Sequence, residues 1–316
     1  MIKNILIIGL GNIGYRHFQA LNSSRYNIYL IDPKISKFKL SKFYKEIKGK
    51  KIYFIKNYNK LPSKINLAII SCSSNMRFQC AKKLLDNTKV DHIILEKILF
   101  DKLSNYKKIN IFKKYKTKIW VNTIHRCSSN SKFILKRNGK NKIRKIIVHG
   151  NNWDLACNYI HFIDLINFFN NEKKYKITSH KFLNIYNSKR QGFIDFYGCV
   201  KLLGEKGTKI KFTNNNGKKS LKTEIYTDKY IYKINYLTKK FSEINLKNKK
   251  VMKLNFNDIK VSELTNTLAK QLFNKNKCNL PNLKTSSEMH LPLFKLFCKK
   301  YALNKRLTNR GYCPIT

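Results

Sequence analysis

The strongest constraint on the fold is a glycine pattern near the start of the chain. An apolar stretch at residues 5–8 runs directly into Gly9, and Gly11 and Gly14 complete the spacing Gly-x-Gly-x-x-Gly. In such a loop the first glycine permits a tight turn, the second lets a pyrophosphate approach the backbone, and the third lets the helix pack closely on the strand. A helix candidate at Tyr15–Leu21 follows, which would point backbone N–H groups at the phosphates. The pattern predicts a dinucleotide-binding strand–turn–helix rather than an ordinary glycine-rich turn.

An acidic residue stands where such a loop requires one. The next apolar run, residues 28–31, ends in Asp32, about 20 residues past the glycines, where a carboxylate grips the adenosine ribose. Asp32 favours NAD, because a carboxylate repels the 2′-phosphate of NADP. The nearby Lys34 leaves NADP as an alternative cofactor. We predict that Asn12 and Ile13 belong to the same cofactor loop.

The chain is strongly basic, and the distribution of its lysines decides what this charge indicates. The 316 residues carry a formal net charge of +49. Lysine is scattered through every segment and arginine is scarce, which indicates a solvated basic surface rather than a specific nucleic-acid site. Nucleic-acid binding stays as an alternative, and it predicts a contiguous basic stripe and a steeply salt-dependent affinity. The charge would also steer an anionic substrate such as a sugar nucleotide.

Cysteine usage and hydropathy indicate the setting of the protein. The eight cysteines are dispersed, with no C-x-x-C pair and no zinc-type spacing, so we predict reduced thiols and no metal site. The first apolar run is short and continues into the glycine loop, unlike a signal peptide. No run approaches the roughly 18 apolar residues of a membrane span. These features predict a soluble cytoplasmic protein with no membrane partner.

Residues 1–122 alternate short apolar runs with helical patterns. This alternation predicts an α/β fold, a doubly wound Rossmann domain with a parallel sheet and crossover helices. The strand candidates are Ile5–Ile8, Ile28–Ile31, Ile52–Ile55, Leu67–Cys72, His92–Leu95 and Lys118–Asn122. The further helix candidates are Ser36–Ile47, Met76–Leu85 and Leu103–Tyr115.

Residues 123–316 have a different pattern and predict a C-terminal α+β domain for substrate binding and oligomerisation. Period-two alternation between Tyr175 and Met252 predicts a largely antiparallel open sheet, and residues 225–236 predict a β-hairpin. Further candidates are a strand at Ile143–His149, turns at Gly204–Gly207 and Asn214–Gly217, and helices at Tyr159–Asn170, Val261–Phe273 and Ser286–Tyr301. The final helix, about 285–302, is expected to be able to pack back on the first domain. An open sheet also predicts a homodimer or homotetramer.

Two positions are candidates for chemistry. Lys97 follows Glu96 at the end of the fifth strand, where ligands of a doubly wound sheet lie. A partly desolvated ammonium there can bind a substrate hydroxyl and stabilise an oxyanion, although a lysine reaching to solvent would look the same. His161 and Asp164 interrupt an apolar helix, and a histidine can exchange a proton near neutral pH. A satisfied core histidine is the alternative for His161.

Together these motifs resemble the Gfo/Idh/MocA family of NAD(P)-dependent sugar, inositol and sugar-nucleotide dehydrogenases. The resemblance runs nearly end to end, from Gly-x-Gly-x-x-Gly-x-x-His through Glu-Lys and His-x-x-Asp to the segment Leu280–Leu283 before the final helix. In that family the lysine of a Glu-Lys-Pro motif and the later histidine flank the substrate carbon beside the nicotinamide. The resemblance therefore implies Lys97 and His161 as catalytic residues.

Several positions depart from the family pattern. Ile98 replaces the proline after the lysine, Cys157 and Asn158 replace an acid before the histidine, Cys72-Ser73 replaces Thr-Pro, and Arg77 replaces the histidine that often follows. An amide at position 158 can hold a hydroxyl or orient a water, but it cannot act as a base.

The resemblance implies an oxidoreductase that transfers a hydride to or from a hydroxyl or keto carbon of a sugar or sugar nucleotide, with surface polysaccharide biosynthesis as the expected pathway. The implied cofactor-binding residues are Gly9, Gly11, Asn12, Ile13, Gly14, Asp32, Cys72, Ser73, Glu96 and Lys97. The implied substrate-binding residues are Asn122, Arg126, Asn158 and Asp164. The alternative is a dinucleotide-binding sensor or assembly subunit without turnover, which the altered positions would favour.

Overall fold

The structure is a computed structural model that describes residues 2–21, 26–33, 51–139, 142–257, 260–308 and 310–316. It divides into two compact units, each discontinuous in sequence. The first unit comprises Met1–Phe100, Ser104–Asn122 and Lys260–Leu283, and the second comprises Asp101–Leu103, Thr123–Ile259 and Lys284–Thr316. The sequence prediction had one boundary, at residue 122, and did not foresee the return at 260–283. Lys34 and the predicted helix Ser36–Ile47 lie outside the described residues.

The first unit is built on a parallel sheet of six strands. These are β1 (Lys3–Ile8), β2 (Tyr26–Ile31), β3 (Ile52–Phe54), β4 (Lys64–Ile70), β5 (Lys89–Leu95) and β6 (Lys118–Val121). Their order in the sheet is β3-β2-β1-β4-β5-β6, which is the order of a doubly wound dinucleotide-binding sheet. The central strands are buried on both faces, as parallel strands covered by helices must be. The predicted doubly wound α/β domain is confirmed.

The described helices follow the predicted pattern with two exceptions, an unpredicted helix at Ser129–Asn138 and the second half of the predicted helix Leu103–Tyr115. They are α1 (Asn12–Leu21), α2 (Ser74–Asn87), α3 (Leu103–Lys107), α4 (Ser129–Asn138), α5 (Leu155–Asn170), α6 (Val261–Lys275) and α7 (Leu283–Asn304). The predicted helix Leu103–Tyr115 was wrong in its second half, because α3 ends at Lys107 and Ile109–Tyr115 forms 3-10 turns. The β-branched and Asn residues at 109–111 lose more freedom in an α-helix than the preceding residues do.

The second unit contains an eight-stranded sheet. Its strands are β7 (Ile143–Asn151), β8 (Tyr175–Asn187), β9 (Ile194–Gly204), β10 (Lys209–Asn215), β11 (Ser220–Thr227), β12 (Tyr230–Asn235), β13 (Lys240–Asn245) and β14 (Val251–Leu254). The order is β14-β13-β12-β11-β7-β10-β9-β8, and only the β7–β10 pairing is parallel among the described strands. The predicted largely antiparallel sheet and the hairpin, formed by β11 and β12, are confirmed.

The two faces of this second sheet differ strongly. Side chains alternate along each strand, and one set, which includes Val148, Phe196 and Phe212, is completely buried. Helix α5 packs against this buried face through β7, β9 and β10. The opposite face bears exposed lysines, and Lys201 and Lys211 stand directly opposite each other across β9 and β10.

Candidate functional site

The predicted cofactor residues of the first unit lie along the carboxyl edge of its sheet. Four residues that directly follow a strand donate their backbone N–H to the last carbonyl of the neighbouring strand, at 2.8 to 3.1 Å. These residues are Gly9, Ser71, Glu96 and Asn122. These bonds keep the strand ends level with one another. Ligands of open α/β sheets bind at this edge.

The three glycines of the loop serve two different purposes. A Cβ on Gly14 would lie 1.9 Å from the Gly9 carbonyl oxygen, and one on Gly9, whose φ is +90°, would lie 2.6 Å from the Cys72 nitrogen. Both glycines are therefore required by the packing of the loop itself. A Cβ on Gly11 would meet no described atom within 4 Å, so packing does not demand a glycine there. Its position fits the close approach of a ligand to the backbone.

Asp32 is held beside the glycine loop. Its Oδ2 accepts a hydrogen bond of 2.7 Å from the backbone N–H of Leu10. Helix α1 begins at Asn12, immediately after Gly11, and Gly11 and Asn12 are both exposed. The first-turn N–H groups of a helix attract phosphate, so the loop, the helix start and the carboxylate fit a dinucleotide.

Glu96 lies in a buried hydrogen-bonded network rather than on the surface. Its Oε1 is 3.0 Å from His17 Nε2 and also accepts a hydrogen bond from the Asn122 side-chain amide. The other ring nitrogen of His17 is 2.8 Å from Thr265 Oγ1, on α6. Burial by itself raises the pKa of Glu96, but the bonds from His17 and Asn122 and the charges of His17 and Arg77 outweigh it and lower that pKa overall.

This network gives Glu96 and Asn122, which were predicted to bind cofactor and substrate, contacts within the protein. Glu96 was predicted to bind cofactor, yet its carboxylate joins α1, β5 and β6. Asn122 is 2% exposed, and its Oδ1 has no hydrogen-bond donor among the described residues. Lys97 is half-buried, and the Lys97–Ile98 peptide bond is cis. Sequence reasoning missed Thr265, because it lies 248 residues from its partner His17.

Cys72 and Ser73 form the loop between β4 and α2. Ser73 is the N-cap residue of α2, but its hydroxyl donates to the Asn75 side chain at 2.8 Å rather than to the helix backbone. The thiol of Cys72 is hydrogen-bonded to that of Cys80, and this bond lowers the pKa of Cys80 to about 7. Burial acts in the opposite direction, and a hydrogen bond with the Tyr58 hydroxyl also lowers the pKa. The dispersed cysteines predicted reduced thiols, and no sequence spacing indicated that these two interact.

In the second unit His161 stacks on another histidine. His161 lies on α5 and is 8% exposed. The ring of His125 lies parallel to it, with centroids 4.7 Å apart and an interplanar angle of 23°. Tyr236 stacks on His125 at 5.5 Å. Sequence reasoning missed His125 and Tyr236, because neither carries a motif and Tyr236 comes from the far end of the β-hairpin.

Asp164 and Arg126, both predicted to bind substrate, bind each other. Asp164 is completely buried and accepts hydrogen bonds from Arg126 Nε at 2.6 Å and from Thr123 Oγ1 at 2.7 Å. A second nitrogen of Arg126 also bonds Asp164 and reaches Asn167 Oδ1 at 2.9 Å. This is a bidentate contact, in which two nitrogens of the guanidinium each donate to one oxygen of the carboxylate. The pair therefore ties the 3-10 turn at residues 124–127 to α5.

The start of α5 is held by a carboxylate from another element. Asn158 donates its side-chain amide to the Trp153 carbonyl at 2.7 Å. Asp195, on β9, accepts the backbone N–H groups of Ala156, Cys157 and Phe196 at 2.7 to 3.0 Å. Burial raises the pKa of Asp195 to about 7 against the opposing effect of these three bonds. Nothing in the local sequence around Asp195 indicates this role.

Among the described residues, every helix is too short or too polar to span a bilayer. The same residues contain no group of three or more His, Cys, Asp or Glu side chains arranged to hold a metal ion.

Comparisons with known proteins agree with the geometry of the first unit. Residues 3–123 match the Gfo/Idh/MocA family model, described as an oxidoreductase family with an NAD-binding Rossmann fold. A comparison of the sequence with curated proteins finds no match.

Solved structures share the fold over nearly the whole chain. UDP-N-acetylglucosamine 3-dehydrogenase GnnA from Acidithiobacillus ferrooxidans is 10% identical, with a TM-score of 0.71 over 92% of this chain and 95% of that chain. Apo scyllo-inositol dehydrogenase from Lactobacillus casei is 15% identical, with a TM-score of 0.68 over 95% and 97%. A super-repressor mutant of Gal80p from Saccharomyces cerevisiae is 14% identical, with a TM-score of 0.72 over 96% and 97%. At identities this low, the TM-scores show that these proteins share the fold of this chain.

The resemblance predicted from the motifs is thus confirmed, and so is the NAD(P) cofactor. Residues 3–123 of this chain are thus similar to the NAD-binding Rossmann domain of the Gfo/Idh/MocA oxidoreductases.

Proposed function

We propose that the protein is a dehydrogenase that acts on a hydroxyl or keto carbon of a sugar or sugar nucleotide. The observation that carries the proposal is the carboxyl edge of the first sheet, where Lys97 and Asn122 follow β5 and β6, on the same edge as the glycine loop after β1. An ammonium and an amide near a nicotinamide suit a polyhydroxylated substrate. The names of two structural neighbours, a sugar-nucleotide dehydrogenase and an inositol dehydrogenase, support this substrate class.

The residues of the glycine loop would hold the cofactor. Gly11 and the first turn of α1 bind the pyrophosphate, and Asp32 binds the adenosine ribose hydroxyls. Because Asp32 carries a negative charge, we expect NAD to bind more tightly than NADP. When bound, the nicotinamide supplies the hydride acceptor or donor.

The motif resemblance assigns the proton chemistry to Lys97 and His161. In the oxidative direction His161 removes the hydroxyl proton of the substrate, and Lys97 stabilises the negative charge that develops on the oxygen. Asn122 and Asn158 bind sugar hydroxyls. We assign Arg126 and Asp164 a different role from substrate binding, because each uses its charged group on the other, and this pair fixes the position of α5.

A panel of probe substrates tests the reaction. NAD⁺ and NADP⁺ are offered with UDP-N-acetylglucosamine and with scyllo-inositol, and nicotinamide absorbance reports turnover. His161→Asn is expected to lower kcat by about 1,000-fold, since general-base catalysis is lost, while the NADH Kd stays unchanged. The matched control is His180→Asn, because His180 is exposed on β8. Wild-type kcat in His161→Asn would remove this histidine from the mechanism.

Lys97 is tested separately. Lys97→Met is expected to lower kcat by about 100-fold, the size of a lost oxyanion-stabilising donor. Lys102→Met is the control, since Lys102 is exposed. If both variants turn over alike, the strand-end lysine only reaches to solvent.

A cofactor-binding sensor without turnover is the second candidate. Two observations favour it: Asp164 is occupied by its pairing with Arg126, and Asn158, which cannot act as a base, stands where the family has an acid. It predicts NADH binding by nicotinamide fluorescence and no hydride transfer to any member of the panel. Turnover of either probe substrate rejects it.

We also propose that the protein forms a homo-oligomer through the exposed face of the second sheet. The exposed lysines of this face include Lys201, Lys209, Lys211, Lys222 and Lys233. Two copies facing each other would repel at low ionic strength and associate when salt screens the charges. Sedimentation is therefore expected to show a higher mass at about 0.5 M salt than at about 0.05 M, and the reverse dependence contradicts the proposal.

A further inference from the structure

Arg77 is a buried cation that connects two loops of the carboxyl edge. It lies on α2 and is 2% exposed. Its guanidinium donates to the backbone carbonyls of Cys72 and Ile98, and to that of Leu99 at 3.2 Å. Cys72 belongs to the loop after β4, and the other two carbonyls follow Lys97 after β5. One side chain therefore holds both loops.

Only a guanidinium suits these three acceptors. Its N–H groups are spread in a rigid, planar fork, so they can reach carbonyls on two chain segments at once. A lysine ammonium carries all its donors on one nitrogen, and a histidine ring has at most two N–H groups. A buried guanidinium is costly unless its donors are satisfied, and here the loop carbonyls accept from it. The bonds thus stabilise the loop and the arginine together.

Arg77 and Ile98 are both positions where the chain departs from the family pattern. Where the family has a proline after the lysine, whose ring restricts the backbone, this chain has Ile98. Where the family often has a histidine, this chain has Arg77, and Arg77 donates to the Ile98 carbonyl. The two departures are therefore in direct contact.

We propose that Arg77 is a positioning residue that fixes the turn at residues 96–99, and with it Lys97, in place of the missing proline. The inference rests on the proposed role of Lys97 in turnover. It does not depend on which sugar is the substrate, because every contact of Arg77 that carries it is to the protein backbone.

Hydrogen exchange of the full chain saturated with NADH tests the proposal without turnover. The variants are Arg77→Lys, Arg77→His and Arg77→His with Ile98→Pro, and the control is Arg144→Lys, at an exposed arginine paired with Asp228. In both single Arg77 variants we expect about tenfold faster exchange in the peptide covering residues 96–101. The peptide covering residues 5–14 is expected to keep its wild-type rate. Adding Ile98→Pro is expected to restore most of the protection at 96–101.

Kinetics with UDP-N-acetylglucosamine or scyllo-inositol adds a readout that simple destabilisation would not give. A misplaced Lys97 is expected to lower kcat by about 100-fold with little change in KM. The double variant should recover at least about tenfold of that loss. Unchanged exchange at residues 96–101 in both Arg77 variants overturns the proposal, and so does a double variant no better than Arg77→His.

If the Arg77 variants do not fold, the single variant Ile98→Pro tests whether the turn at residues 96–99 is restrained as proposed. A second restraint on the same turn is expected to slow exchange at residues 96–101 below the wild-type rate, and equal or faster exchange overturns the proposal. Failure of the proposed function has a different signature. Unchanged turnover in Lys97→Met would remove Lys97 from the reaction, while the exchange results for Arg77 would stand.

Discussion

The glycine loop of the first unit and the start of α5 in the second unit are built in different ways. The glycine loop consists of backbone from one short segment, and its key contacts are the close approaches of Gly9 and Gly14 to main-chain atoms. The α5 region is held by the polar side chains of Arg126 and Asp195, which come from other elements.

This difference separates ligand affinity from stability. A backbone loop exposes N–H groups to a ligand at little cost, because those groups are otherwise bonded to water. Buried charges must find partners within the protein, so removing one partner affects folding directly. Changes in the first region should therefore divide into packing and ligand effects, whereas changes in the second should mainly alter stability.

The largest effect is expected for Asp164→Asn. Removing the carboxylate leaves the buried Arg126 guanidinium without its counter-charge, at a cost of about 4 kcal/mol in the free energy of unfolding. Urea denaturation measures it. The control is Asp228→Asn, whose ion pair with Arg144 is exposed and should change stability by less than about 1 kcal/mol. Equal effects for the two variants would show that the buried pair contributes no more than a surface pair.

Gly14, which packing requires, and Gly11, which packing does not require, provide the next comparison. Gly14→Ala is expected to cost about 3 kcal/mol, because a Cβ would collide with the Gly9 carbonyl and the loop must shift. Gly11→Ala should leave stability within about 0.5 kcal/mol but weaken NADH binding by about tenfold, or 1.4 kcal/mol. Thermal unfolding and NADH titration distinguish them. Loss of stability in Gly11→Ala would mean that packing, rather than the ligand, selects this glycine.

Asp195→Ala is expected to cost about 2 kcal/mol, because it deprives the buried N–H groups at the start of α5 of their acceptor. Asp195→Asn, which keeps an acceptor oxygen, should cost less. Denaturation of both variants at pH 6 checks the order. Equal losses would show that these N–H groups find other acceptors.

Asp195 also predicts a pH dependence of stability. Its pKa is raised to about 7 in the folded protein, so between the ordinary aspartate value of about 4 and pH 7 the native state binds the extra proton. Stability from this group is complete at low pH and is lost as the pH rises through about 7. The difference in unfolding free energy between wild type and Asp195→Asn should follow this decline, and a difference independent of pH contradicts the assignment.

The smallest effect concerns Cys80, where chemistry changes without loss of stability. Its thiol pKa of about 7 means that the thiolate fraction, and with it the rate of alkylation by iodoacetamide, rises up to about pH 8 and then levels off. Cys313 is completely buried, and burial raises its pKa, so it should remain unmodified. Mass spectrometry locates the adduct. A rate that still rises steeply above pH 8 would show an ordinary thiol.

Much of the fold could be predicted because its signals are local. All six strands of the first sheet were predicted within a few residues, since short apolar runs between turns and helical segments indicate buried parallel strands. The hairpin of β11 and β12 followed from simple alternation. The 3-10 turns at Ile109–Tyr115 and the return of Lys260–Leu283 to the first unit were missed. The first depends on weak helix propensity and the second on tertiary packing, and neither is visible in periodicity.

The candidate site shows the same division. The glycine loop, Asp32 and the Glu96–Lys97 pair could be predicted as candidates because their residues stand at fixed spacings in the sequence. His125, Asp195 and Thr265 were missed because their partners lie 36, 39 and 248 residues away. Such distances carry no readable spacing.

The sequence by itself determined the doubly wound sheet, the cofactor loop and the positions of Lys97 and His161 on their elements, since turns, apolar periodicity and motif spacing act over a few residues. Only the tertiary structure decided how the charged residues are used. It paired Asp164 with Arg126, placed Glu96 between His17 and Asn122, and directed Arg77 to the loop carbonyls. The physical reason is that a buried charge must be satisfied by whichever groups the fold brings near it, and those groups come from distant parts of the chain.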